Sequence, residues 1–150
     1  MIKKIKLCFA MAFLLITPVF LSAQGAAELE GVLGTTAVSY AQAARFILAA
    51  AGNNVAQQAA FEQAAANGWL PRTAAADDPI TLGSLSFLTM KAFDLKGGLM
   101  YMALPGPRYA FRSMVSRSII QGAADPAMTV SGERFLLILG NVLNAAGGDQ

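Results

Sequence analysis

The stretch Ile80-Thr81-Leu82-Gly83-Ser84-Leu85-Ser86-Phe87-Leu88-Thr89-Met90-Lys91-Ala92 decides the fold. Counted from Thr81, apolar residues stand at +4, +7 and +11 (Leu85, Leu88, Ala92), which is one stripe of a helix and not the alternation of a strand. The hydroxyl ahead of the stripe can accept a hydrogen bond from an amide of the first turn that has no partner inside the helix. Ile80 before it can pack on that turn. The same arrangement occurs at Val38-Ser39, followed by Ala43, Phe46 and Ala50, and at Val130-Ser131, followed by Phe135, Ile138 and Val142. Ser39, Thr81 and Ser131 are therefore expected to be helix N-caps, and Gln42, three residues after Ser39, completes a capping box.

Working outward from these starts, helices are expected at about 40–51, 54–67, 82–94, 107–117 and 132–145, with short ones at 26–32 and 99–104. Alanine saturates Ala41–Ala51 and Ala56–Ala66, and Val, Ile and Thr never gather into alternating runs, so β structure should be minor. Thirteen residues separate Gly68 from Thr81 and thirteen separate Ser118 from Ser131, each interval holding an Asp-Pro pair (Asp78-Pro79, Asp125-Pro126) suited to a turn that feeds a helix start. The caps lie 42 and 50 residues apart, which places an insertion in the longer interval, from Lys96-Gly97-Gly98 through Pro105-Gly106-Pro107. The expectation is an all-α fold: a small helical array of two to three pseudo-repeated helix-loop-helix units with little or no β structure.

Residues Ala65-Ala66-Asn67-Gly68-Trp69-Leu70-Pro71 with Ile80-Thr81-Leu82-Gly83-Ser84-Leu85, and Ser116-Arg117-Ser118-Ile119-Ile120-Gln121-Gly122 with Val130-Ser131-Gly132-Glu133-Arg134-Phe135, resemble the S-layer homology module of bacterial surface proteins. A half unit, Val38-Ser39-Tyr40-Ala41-Gln42-Ala43, precedes them. The resemblance implies a helical fold and attachment to cell-wall polysaccharide. Capped helices of that family open Thr-Arg-Ala-Glu, whereas here the hydroxyl is followed by Tyr40, Leu82 or Gly132. The departure falls on the residue that would meet an anionic glycan.

Residues 1–23 read as a secretory signal peptide: Lys3, Lys4 and Lys6, an apolar run from Leu7 to Ile16, a helix break at Pro18, and Ser22-Ala23 before Gln24. Leu7 to Leu21 is fifteen residues, short of the roughly 20 of a spanning helix, so no stable membrane span is expected after cleavage. The expected location is outside the cytoplasm, in the periplasm or on the surface of a bacterium. Residues 24–150 form a single helical domain with eight basic and nine acidic groups, a net charge of −1, which does not suit a nucleic-acid binder. The one cysteine, Cys8, lies in the leader and there is no histidine. Thiol nucleophiles, imidazole bases and the usual zinc sites are thereby removed, and no cofactor is expected.

Two surfaces remain as candidates for binding. Arg108 and Arg112 are one turn apart on an expected helix, with Arg117 partly round it, and no acid stands between Asp94 and Asp125. Guanidinium groups there suit an anionic polymer or a carboxylate-bearing partner. The run Leu99-Met100-Tyr101-Met102-Ala103-Leu104 is expected in the core; exposed, its methionines and Tyr101 would form an adaptable contact patch. Trp69 can stack on a sugar ring but is expected to be a packing residue. These features predict a non-enzymatic envelope module attached to a wall polymer or to a periplasmic or surface protein assembly. The alternative is a carboxylate-dependent enzyme whose groove gathers Asp77, Asp78 and Glu133, though Asp77 and Asp78 ahead of a helix suit turn roles better.

Overall fold

A computed structural model describes residues 17–122 and 124–148. Seven helices run through them: α1 (Thr17–Leu33), α2 (Tyr40–Ala50), α3 (Gln57–Ala66), α4 (Leu82–Ala92), α5 (Leu99–Ala103), α6 (Pro107–Ser116) and α7 (Gly132–Gly148). The fold is all-α; β pairing among the described residues is confined to two isolated antiparallel bridges, Ser39 with Pro79 and Thr81 with Thr129. The basic start and apolar run of the expected leader, Lys3 to Ile16, lie outside the described residues. Pro18, expected to break a helix, lies within α1, and α1 continues through the expected cleavage point after Ala23. No helix among the described residues is long and apolar enough to cross a membrane.

The helix starts follow local chemistry. The Ser39 hydroxyl accepts from the Gln42 amide at 3.2 Å, while the Gln42 side chain accepts from the Ser39 amide at 3.0 Å, closing the capping box. Thr81 Oγ1 accepts from the Ser84 amide at 3.3 Å, and Ser131 Oγ accepts from the Arg134 amide at 3.4 Å. Helix α3 starts later than expected, at Gln57. The preceding Asn side chains are engaged elsewhere, Asn54 accepting from Arg45 and Asn53 donating to Gln63, so the chain reaches Ala56 extended.

Four helices stop in one way. After α2, α3, α4 and α6 the chain turns through a residue with positive φ: Gly52, Gly68, Asp94 and Ser118. The next amide reaches back to the helix, Asn53 to the Leu48 carbonyl, Trp69 to Ala64, Leu95 to Met90 and Ile119 to Met114, forming Schellman ends. The thirteen-residue intervals from Gly68 to Thr81 and from Ser118 to Ser131 thus each run from a helix's left-handed stop residue to the next N-cap.

The three cap segments meet at the centre of the molecule. Val38, Ile80 and Val130 are each 0% exposed. The Val38 amide donates to the Val130 carbonyl and the Ile80 amide to the Val38 carbonyl, both at 2.8 Å. The first amide of each capped helix finds a carbonyl in another segment: Tyr40 donates to Asp78 (3.0 Å), Leu82 to Met128 (2.8 Å) and Gly132 to Thr35 (2.9 Å). Amides that a helix cannot satisfy by itself are therefore used to join the segments. The approach at the last junction is so close that a Cβ on Gly132 would lie 1.6 Å from the Val32 carbonyl oxygen.

Capped helices pack beside the helices that follow them, α2 with α3 and α4 with α6, and α7 packs with α1. Helices joined by a thirteen-residue interval, α3 with α4 and α6 with α7, are not among the main packing pairs. The core is filled by the stripes counted from the caps: Ala43, Leu85, Leu88, Phe135, Ile138 and Val142 are all buried, and the Phe46 ring meets Phe135 edge-on at 6.2 Å.

Candidate functional site

Helix α6 starts at Pro107, whose fixed φ suits the first helical position, and buries Ala110, Phe111, Ser113 and Met114 against α4 and α5. Its other side carries Arg108 and Arg112, both exposed, and Arg117 is the exposed C-cap. No carboxylate among the described residues pairs with these three, whereas Arg45 pairs with Glu28 at 3.6 Å.

The short helix α5 lies against α6 and contradicts the expectation that its apolar run belongs to the core. Leu99 is 83% exposed, Met102 68%, Leu104 60% and Met100 53%. Tyr101 reverses the contact-patch expectation in turn, because it is the buried member of the run. Its ring stands edge-on to Phe87 at 6.4 Å and fills the space over Gly97, where a Cβ would lie 2.3 Å from the ring. Gly97 is thus required by the ring above it. Burial pushes the Tyr101 hydroxyl above the ordinary tyrosine pKa, and the negative charge of Asp94 adds to the shift.

Between α5 and α6 lies a hollow of about 400 Å³ lined by Leu99, Met100, Tyr101, Tyr109, Arg112, Ser113 and Ser116. Residues 109, 112, 113 and 116 form a single helical stripe, so this face is set by i, i+3, i+4 and i+7 spacing. Ser113 ties the two helices together by accepting from the Gly98 amide at 3.2 Å. On the other flank of α5, Lys91, Asp94, Lys96, Tyr101, Met102 and Pro105 line a second hollow of about 430 Å³. Lys91 Nζ lies 5.6 Å from the Phe87 ring centre, a cation–π contact.

The expected arginine cluster is therefore divided. Arg112 faces the α5–α6 hollow, Arg117 lines a separate hollow of about 470 Å³ with Asp94 and Lys96, and Arg108 lines neither. Trp69 follows the α3 stop, half-buried against the core, as a packing residue. Asp77, Asp78 and Glu133 are exposed and line none of these hollows. Asp78 accepts from the Ala75 amide at 3.0 Å and Asp125 from the Ala127 amide at 2.7 Å, so both act in their own turns. Among the described residues no group of three or more His, Cys, Asp or Glu side chains could hold a metal ion.

Sequence reasoning missed Tyr109, Ser116, Lys91 and Lys96. The first two were recoverable, since they share a helical stripe with Arg112. The lysines were not, because only the position of α5 makes them neighbours of Met102.

The positions that follow the three cap hydroxyls are closed. Tyr40 is buried with its hydroxyl 3.1 Å from Ser84 Oγ, Leu82 is 0% exposed, and Gly132 has no room for any side chain. No protein-family model, curated protein or solved structure matches the chain.

Proposed function

We propose that this chain is a non-enzymatic binding module of the bacterial cell envelope, exported by its leader, and that α5 and α6 form its contact face. The observation that carries this reading is the joining of Arg112, Tyr109 and Ser116 in one hollow with the exposed Leu99 and Met100, on a helix whose arginines have no carboxylate partner among the described residues. The partner is an anionic envelope component: a wall polymer, or the acidic surface of a periplasmic or surface assembly. We take the three capped helices as pseudo-equivalent units of one array, supported by the shared hydrogen bonding of Tyr40, Leu82 and Gly132 to neighbouring segments. The S-layer homology resemblance then bears on the array and not on the ligand, because its arginine positions are filled by packing.

The test is retention on purified envelope material. Reversing Arg108 and Arg112 to Glu places repulsive charge on one face at little cost in helix propensity. Retention in low salt should fall at least tenfold on the order expected for opposed surface charges, with circular dichroism unchanged, and wild-type retention should weaken as salt rises. Equal retention of wild type and double variant removes α6 from the contact.

A further inference from the structure

We infer that α5 is an interfacial ridge by which the protein rests on an anionic lipid surface. This rests on the reading of α5 and α6 as the contact face and goes beyond the polymer and protein partners named there. Three observations converge on it.

The first is shape. Leu99 is 83% exposed, and Met102, Leu104 and Met100 are exposed beside it, so the apolar side chains form an open ridge between the two hollows whose rims they line. Such a ridge suits a medium into which side chains insert. Methionine and leucine, without branching at Cβ, adapt to acyl chains.

The second is backbone satisfaction. The Met102 amide donates to the Gly98 carbonyl at 3.0 Å and the Leu104 amide to Met100 at 2.9 Å, while Pro105 and Pro107 carry no amide hydrogen. The Gly98 amide is taken by Ser113. The later half of the ridge therefore brings few open donors to a low-dielectric layer, where each would be costly, while the uncapped first-turn amides of Leu99, Met100 and Tyr101 stay at the hydrated headgroup level.

The third is charge. Leu99 and Met100 share a hollow with Arg112, and Met102 shares the opposite hollow with Lys91 and Lys96, so the apolar ridge has cations on both flanks. From Lys91 to Gly122 the chain has five basic residues and one acid, Asp94, a net of +4, while the rest of the chain after Ala23 is net −5. A molecule with this asymmetry turns its α5–α6 side toward lipid phosphates and the remainder away.

The experiment is sedimentation of the protein as purified from its native envelope, with vesicles of phosphatidylglycerol and phosphatidylethanolamine or of phosphatidylcholine alone. Wild type should sediment with the anionic vesicles, less with phosphatidylcholine, and less again in high salt. Leu99→Ser with Met102→Ser should lower the vesicle partition coefficient by about tenfold or more, since two exposed apolar groups no longer enter the bilayer. Arg112→Gln should reduce partition to the anionic vesicles alone. All variants share one N-terminus, so any partition by the leader segment raises each equally, and circular dichroism checks the fold. Equal sedimentation of the Leu99/Met102 variant and wild type overturns the proposal, as does failure of wild type to bind either vesicle. If the Leu99/Met102 variant loses retention on envelope material stripped of lipid while wild type ignores vesicles, a polymer or protein covers the ridge; the lipid inference then falls and the contact face stands.

Discussion

Val38, Ile80 and Val130 are 0% exposed, whereas Leu99, Met100, Met102 and Leu104 are exposed by 53% or more, although both are short apolar sets bounded by turns. What separates them is where their backbone bonds go. Around the caps, amides of one segment are satisfied only by carbonyls of another, so the segments must meet and their apolar residues are buried as they do. In α5 the amides of Met102 and Leu104 are satisfied within the turn, and one side chain, Tyr101, fixes the element to the body. An apolar run need not be core if it requires no neighbour.

This contrast can be broken most directly by truncation. Phe135→Ala at the junction should cost about 4 kcal/mol, the range for emptying a buried aromatic site, while Leu99→Ala should stay within about 0.5 kcal/mol. Urea unfolding of both variants checks it, and similar losses at the two sites would remove the distinction between junction and ridge.

Glycines sharpen the contrast. Gly132→Ala forces a methyl toward the Val32 carbonyl and should cost about 3 kcal/mol, the upper part of the range for overpacking, or detach the end of α1. Gly106→Ala, next to α6, has open space and an extended φ, and should be nearly neutral. Thermal melts of the pair decide whether the junction is as tight as its geometry states.

A smaller loss is expected from the caps. Thr81→Ala removes the acceptor for the Ser84 amide and should cost about 1 kcal/mol. Thr81→Ser keeps the oxygen and should restore most of it.

The smallest effect belongs to the anchor of the ridge and appears only in alkali. Because burial raises the Tyr101 pKa in the folded state, its neutral form is favoured by folding; the associated stability is intact below the unfolded tyrosine value near 10 and is lost as pH rises through the folded value. Wild type should lose stability between about pH 9 and 11 more steeply than Tyr101→Phe, measured by urea midpoints. Parallel curves would mean that the phenol is hydrated and the ridge loosely held.

Much of this fold was legible because its punctuation is local. A hydroxyl followed by an apolar stripe marks a helix start at Ser39, Thr81 and Ser131, and the equal intervals from Gly68 and Ser118 mark the stops before the last two. Packing partners were not legible, since α3 and α6 pair mainly with helices before them and not with those across the interval. The orientation of α5 was hidden for another reason. Six consecutive apolar residues carry no period, so the choice of Tyr101 as the buried one was made by Phe87 and by the space above Gly97. The pairing of Arg108 with Arg112 was readable as one turn of helix, but the stripe of Tyr109, Arg112, Ser113 and Ser116 that lines the hollow is selected by where α5 lands.

The hydrogen bond from Val38 to Val130 sets an order on synthesis. A chain emerging N-terminus first holds the Val38 segment long before its partner exists, and the Gly132 contact with Thr35 must wait as well. Until the Val130 segment arrives, helices can form but the junction at the centre stays incomplete. Closure of the junction is thus a late, long-range step, in which the Val130 segment pairs with the Val38 segment.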